Sequence, residues 1–137
     1  MTISSMDYRL RQDVAQKLQE ERGTIYKTSD ERVSVVLTYP NTYYVGMSNL
    51  GFQTIYGFLN ARDDVCCERA FLPERHLISR YKQTKTPLFS YESQTALREF
   101  DIIAFSVSFE NDNLNILDMM QLSRIPCQAE ERDTHDP

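Results

Sequence analysis

An α/β fold built on a parallel sheet is what this sequence predicts, and three observations predict it. Three runs, "RVSVVLTY", "VCCERAFLP" and "FDIIAFSVS", are almost continuously apolar and rich in β-branched or aromatic residues, the pattern of strands covered on both faces. A segment with helical spacing of its apolar residues follows each run. The resulting strand–helix alternation calls for right-handed crossovers and parallel neighbours. Together these give a three-layer, Rossmann-like (flavodoxin-like) sheet in the order second, first, third strand. Three strands are few for this class, so the sheet is expected to be incomplete, with a peripheral N-terminal helix.

The elements follow in chain order. From Asp7 to about Gly23 the chain reads as a polar helix with Leu10, Val14 and Leu18 four apart on one face. That stripe is narrow, which predicts an arm outside the core. The first strand spans Val33 to Tyr39 and ends at Pro40. A helix then runs to about Ala61, with Ser48 as its expected N-cap and Leu50, Ile55, Phe58 and Leu59 as its apolar face. Phe52 and Tyr56 leave it apolar on a second side, and Gly51 and Gly57 lower its helix propensity, for which close packing is the expected reason. The second strand spans Val65 to Leu72, closed by Pro73. A helix fits Glu74 to about Lys82, and "TPLFSYES" reads as an extended connection. The third strand spans Asp101 to Val107, again buried in character. The last helix runs from about Asn111 to Ser123, with Leu114, Leu117, Met120 and Leu122 on or near its buried side. Residues 1–30 are thus a helical arm and linker, 31–126 the α/β domain and 127–137 a tail.

Composition narrows the function classes. At 137 residues the chain suits one hydrophobic core. A net charge of -5 and a pI near 5.0 argue against nucleic-acid binding, which needs a concentrated basic face. No run of about 18 apolar residues occurs to cross a membrane, and "MTISSMDYRLRQDVAQKLQEERG" lacks the apolar centre of a secretory signal. The three cysteines, Cys66, Cys67 and Cys127, do not form a disulfide framework. A cytoplasmic protein is the expectation.

No catalytic set stands out. Gly46 and Gly51 are five apart, so neither a dinucleotide fingerprint nor a phosphate loop is present. Cys66 and Cys67 in one strand point to opposite faces and read as small buried hydrophobes. His76 and His135 have no evident nucleophile partner, and Glu110 and Asp112 read as helix-cap residues rather than as a metal site. What remains is a crevice. Ligands of open α/β sheets bind beyond the carboxyl ends of strands whose connections diverge. That predicts a binding surface without catalytic residues, formed by the Asn41–Asn49 loop (Tyr43, Tyr44, Gly46, Ser48 and Asn49) and by Ser106, Ser108, Glu110 and Asn111.

The strings "RVSVVLTYPNTYYVGMSNLGFQTIYGFLN", "CERAFLP", "PLFSYES" and "EFDIIAFSVSFENDNLNIL" resemble the N-terminal region of a family of bacterial radical SAM proteins that opens with a cobalamin-binding-like Rossmann domain. The likeness spans about Tyr26 to Arg132. It implies that a complete member continues into a radical SAM core, whose C-x-x-x-C-x-x-C thiolates hold a [4Fe-4S] cluster that reduces S-adenosylmethionine. That motif does not occur in these 137 residues. The implied role is therefore auxiliary binding or docking, with the cluster and S-adenosylmethionine belonging to the missing core. The likeness admits cobalamin as a ligand without requiring it. No complete D-x-H-x-x-G is present, and "DTHDP" stands in the tail. The alternatives are a free-standing corrinoid- or nucleotide-binding module and a purely structural interaction domain. The expected partners are the radical SAM core or, through an unpaired third-strand edge, a second copy of the chain; a disordered tail beyond about Cys127 is the other expected consequence of that edge.

Overall fold

The computed structural model describes residues 5–137, with side chains from Asp7 onward. The elements are α1 (Ser5–Glu20), β1 (Val33–Tyr39), α2 (Tyr43–Met47), α3 (Leu50–Asn60), β2 (Val65–Phe71), α4 (Arg75–Thr84), β3 (Ile102–Phe105) and α5 (Asn113–Leu122), with short 3-10 turns at Leu97–Glu99, Glu110–Asp112 and Ala129–Glu131. The sheet order is β2-β1-β3 and both pairings are parallel, with Leu37 level with Arg69 and with Ala104. This is a Rossmann-like α/β fold.

Because strand side chains alternate, β1 and β2 present two distinct faces. One carries Val35, Leu37 and Tyr39 beside Cys67, Arg69 and Phe71. Here α3 packs: Phe52 meets the Tyr39 ring edge-on at 5.6 Å and the Phe71 ring at 5.3 Å. The other face carries Ser34, Val36 and Thr38 beside Cys66, Glu68 and Ala70, and the segment from Leu88 to Asp101 reaches it through Ser90, Ser93 and Asp101.

Several helix faces differ from expectation. The rings of Tyr39 and Phe71 turn Phe52 of α3 inward. The Arg69 guanidinium over the Tyr56 ring, and hydrogen bonds of the Tyr56 hydroxyl with the Ile25 backbone, do the same for Tyr56. Leu50 and Phe58 are left 79% and 74% exposed, and Ile55 is exposed as well. The N-cap is Asn49, whose side chain accepts from the Phe52 amide, while Ser48 closes α2. Close packing does not account for Gly57, where an added Cβ would meet open space. The tight position is Gly46, where a Cβ would stand 2.5 Å from a Phe71 ring carbon. In α5 the buried face is set by Met119 and Leu122, with Asn115 bonded to the Pro40 carbonyl. That phase rotates Leu114 and Leu117 to the surface.

Helix α1 lies outside the sheet layers and packs along α4, yet it is not excluded from the core. Leu10 and Val14 are fully buried, and Arg11 lies over the Phe89 ring at 4.7 Å. A narrow stripe suffices because α4 and the segment around Leu88 and Phe89 close over it. Strand β3 is shorter than expected and only partly covered, with Ile102 exposed. Residues 127–137 form a short turn held by Arg132, which donates to the Pro126 and Cys127 carbonyls.

Candidate functional site

The crevice lies where β1 and β3 end. Pro40 cannot continue the β1 ladder, and the chain turns into α2. After Phe105 it leaves β3 through Ser106, whose amide still donates to the Thr38 carbonyl. Three side-chain contacts join the two connections. Asn49 Nδ2 donates to Ser108 Oγ at 2.9 Å, Asn41 Nδ2 donates to Asp112 Oδ1 at 3.0 Å, and Asn115 Nδ2 donates to the Pro40 carbonyl at 2.9 Å.

The residues singled out in the sequence divide into two groups. Ser48, Ser108, Glu110 and Asn111 are exposed on these two connections, with Asn49 bonded to Ser108 and Ser106 half-buried at the end of β3. Exposed Tyr44 instead lies beside Tyr43, edge-on to its ring at 5.3 Å and with the Lys17 ammonium 5.8 Å from its own ring. Tyr43 and Gly46 are elsewhere. Tyr43 is buried, stacked on Tyr91 at 5.4 Å, and donates its hydroxyl to Glu21. Gly46 is pressed against Phe71 and Tyr39. Both serve the core on the β2 side of the sheet. Burial, together with the Glu21 carboxylate, pushes the Tyr43 phenol well above its ordinary range.

Asn41, Asp112 and Asn115 join the two connections. The sequence places Asn41 in the loop, reads Asp112 as a cap and does not single out Asn115. The Asp112 side chain makes no cap bond to α5 and takes Asn41 instead. Only Asn41, directly after the strand-ending proline, carried a local signal. Asp112 is buried with Oδ2 enclosed and unpartnered. Oδ1 tightens the connection through Asn41, and Oδ2, closed off from solvent, offers a ligand no handle.

The cysteines have no part in this crevice. Cys66 and Cys67 are buried in β2, and burial pushes the Cys67 thiol up to about 12 and raises that of Cys66. Thiols held protonated on opposite faces of one strand are poor cluster ligands. Among the described residues no group of three or more His, Cys, Asp or Glu side chains could hold a metal ion. No described helix is long and apolar enough to cross a membrane.

A second polar constellation surrounds Arg69. Its guanidinium, with its side chain 3% exposed, donates to Glu92 at 2.6 Å and to both Glu21 oxygens at 2.8 and 3.1 Å, and lies over the Tyr56 ring at 4.6 Å. Burial works against the Glu21 carboxylate, but hydrogen bonds from Arg69, Thr24 and Tyr43 outweigh it and hold its pKa low. Burial raises Glu92 to about 7 against the pull of Arg69. With every member paired, this network is structural. The consecutive charges of "CERAF" inside an otherwise apolar strand were its signal in the sequence.

The family model for the N-terminal region of radical SAM proteins matches residues 51–137. The chain belongs to this family. The matched stretch contains β2, β3, α5 and the whole β3 side of the crevice, while β1 and the Asn41–Asn49 loop precede it. No curated protein and no solved structure matches the chain. As a radical SAM N-terminal domain, it carries the sheet and the joined connections of β1 and β3, and two of its three cysteines, Cys66 and Cys67, are spent on the interior of β2.

Proposed function

We propose that this chain is the auxiliary N-terminal domain of a radical SAM protein, a binding and docking unit whose bond-breaking chemistry belongs to a radical SAM core. The observation that carries this reading is the family match over β2, β3 and α5, taken with connections beyond β1 and β3 whose exposed groups are hydroxyls, an amide and a carboxylate. Such groups bind and orient. The iron–sulfur cluster and S-adenosylmethionine have no fitting ligands among the buried thiols described above, so both are assigned to the core.

The ligand proposed for the crevice is a corrinoid. Ser106, Ser108, Glu110 and Asn111 supply donors and acceptors that suit its carboxamide fringe. A corrinoid bound there would supply cobalt chemistry, without a histidine ligand from this domain. Hydroxocobalamin titrated into the chain should give a saturable change in its visible spectrum, and Asn111→Ala, at an exposed position, should weaken it by about tenfold, the worth of one hydrogen bond to a bound group. An unchanged spectrum at millimolar hydroxocobalamin would remove the corrinoid from the proposal.

Docking alone is the second reading, and the open side of β3 favours it. Ser106 donates inward to β1, so by the alternation of a parallel ladder Ile103 and Phe105 direct their N–H and C=O groups outward. These groups have no hydrogen-bond partner among the described residues. A groove of about 380 Å³ runs along this edge, lined by Ile103, Phe105, Ile116, Met120, Ile125 and Arg132. An edge of this kind takes a further strand. Protection of the Ile103 and Phe105 amides from exchange on adding a radical SAM core polypeptide would support docking through it. Concentration-dependent light scattering of the chain alone would assign the edge to a second copy instead.

A further inference from the structure

The amino end of the sheet, away from the crevice, holds a second recess. It is about 350 Å³ in volume and is lined by the loop before β1 (Lys27, Thr28, Ser29 and Asp30), by Ser34, by Glu68 of β2, and by Ser93, Thr95, Glu99 and Phe100. Its size is that of a small-molecule site.

Glu68 decides its chemistry. It stands mid-strand in β2, level with Val36, and is 7% exposed. One oxygen, Oε1, accepts three hydrogen bonds: from Ser90 Oγ at 2.6 Å, Ser93 Oγ at 2.6 Å and the Ser93 amide at 3.1 Å. These fix the carboxylate in place. The other oxygen, Oε2, accepts none among the described residues, yet it is not sealed from solvent as the Asp112 oxygen is. It therefore opens onto the recess that Glu68 lines.

Buried charges are ordinarily paired. The contrast lies one residue along the strand, where Arg69 joins Glu21 and Glu92 on the other face of the sheet. No lysine or arginine pairs with Glu68; its partners are hydroxyls and one amide. Lys27, at the rim, has its ammonium engaged by the Asn60 and Arg62 carbonyls. The rim adds the exposed carboxylates Asp30 and Glu99, so the recess carries three formal negative charges against one positive. A metal ion is not the fitting guest, because no set of ligands within reach of one another is present among the described residues. The fitting guest brings a positive charge and N–H donors to Oε2, with an alkyl stem to lie against Phe100.

We propose that this recess is a binding site for a small organic cation, an alkyl ammonium or guanidinium group, anchored on Glu68 Oε2. Asp30 and Glu99 attract it from the rim. The site is independent of the corrinoid reading, since it shares no residue with the crevice.

The test is a calorimetric titration of the whole chain with putrescine and agmatine, with 1,4-butanediol as the uncharged control. Saturable binding of an amine, no binding of the diol, and about a tenfold loss in Glu68→Gln are expected, the loss being that of one charge-assisted hydrogen bond. Should Glu68→Gln fail to fold, Asp30→Asn and Glu99→Gln, both at exposed positions, should each weaken the amine by a few-fold and lessen the dependence of binding on salt. Binding that appears only when the cation is the side chain of a lysine or arginine peptide would assign the recess to a protein partner carrying the same group. Absence of saturable binding by every cation, or equal binding by the wild type and the variants, would overturn the proposal.

Discussion

The two edges of this three-stranded sheet are built in opposite ways. At the β2 edge, every residue of the strand is buried. Its outward backbone groups are answered by side chains and a loop. Asn60 donates to the Cys67 carbonyl and accepts from the Cys67 amide, both at 2.9 Å, while Glu92 takes the Arg69 amide and Tyr91 donates to the Arg69 carbonyl. At the β3 edge, Ile103 and Phe105 turn the same groups outward and nothing among the described residues meets them. The strand itself is half-buried at best. One edge is finished by the chain and the other is left to pair. The difference explains why a strand with two charged residues is the better covered of the two: at β2 the charges recruit the cover.

Breaking that recruitment has the largest expected effect. Arg69→Ala strands Glu21 and Glu92 in the interior without a cation, at a cost of about 3–5 kcal/mol. Urea denaturation measures it. Replacing all three together, Arg69→Met with Glu21→Gln and Glu92→Gln, should be milder than Arg69→Ala alone, because no uncompensated charge remains. A triple variant as unstable as the single one would show that packing, not charge pairing, seals this edge.

Amide exchange compares the edges directly. Cys67 and Arg69 should exchange slowly, and Ile103 and Phe105 fast, although all four face away from β1. Asn60→Ala should release Cys67 to fast exchange and cost about 1–3 kcal/mol, the penalty of buried backbone groups left without partners. Equal protection at both edges in the isolated chain would end the comparison.

The smallest effect is a pH dependence within the sealed edge. Glu92 has a folded pKa of about 7, above its ordinary value of 4.5. Its protonated form is therefore the one the fold favours, so its contribution is full below about pH 4.5 and is lost as pH rises through about 7. Glu21, with a lowered pKa, contributes above the ordinary carboxylate range and loses that share as pH falls through its folded value. Carboxyl NMR titration should place the Glu92 midpoint near 7 and that of Glu21 below the usual range. A Glu92 midpoint near 4 would show that Arg69 outweighs burial at both carboxylates.

The strands, their order and their parallel pairing were legible in the sequence because each depends on a local pattern: apolar runs, Pro40 and Pro73 as stops, and helical spacing between. The point where the connections of β1 and β3 part followed from that order. Which faces of the helices lie inward was not legible. Leu50, Ile55 and Phe58 form as good an apolar stripe as Phe52 and Tyr56, and the choice between them is made by other segments, the rings of Tyr39 and Phe71 at Phe52 and Arg69 with the Ile25 backbone at Tyr56. The same holds for Tyr43, whose neighbours Tyr91 and Glu21 lie 48 residues after and 22 before it. Sequence by itself therefore determined the α/β sheet and the place where its connections part. Tertiary structure decided which edge is closed, which side chains reach the crevice, and that Glu68 is buried without a cation, because each depends on contacts between segments whose spacing along the chain carries no trace of their meeting.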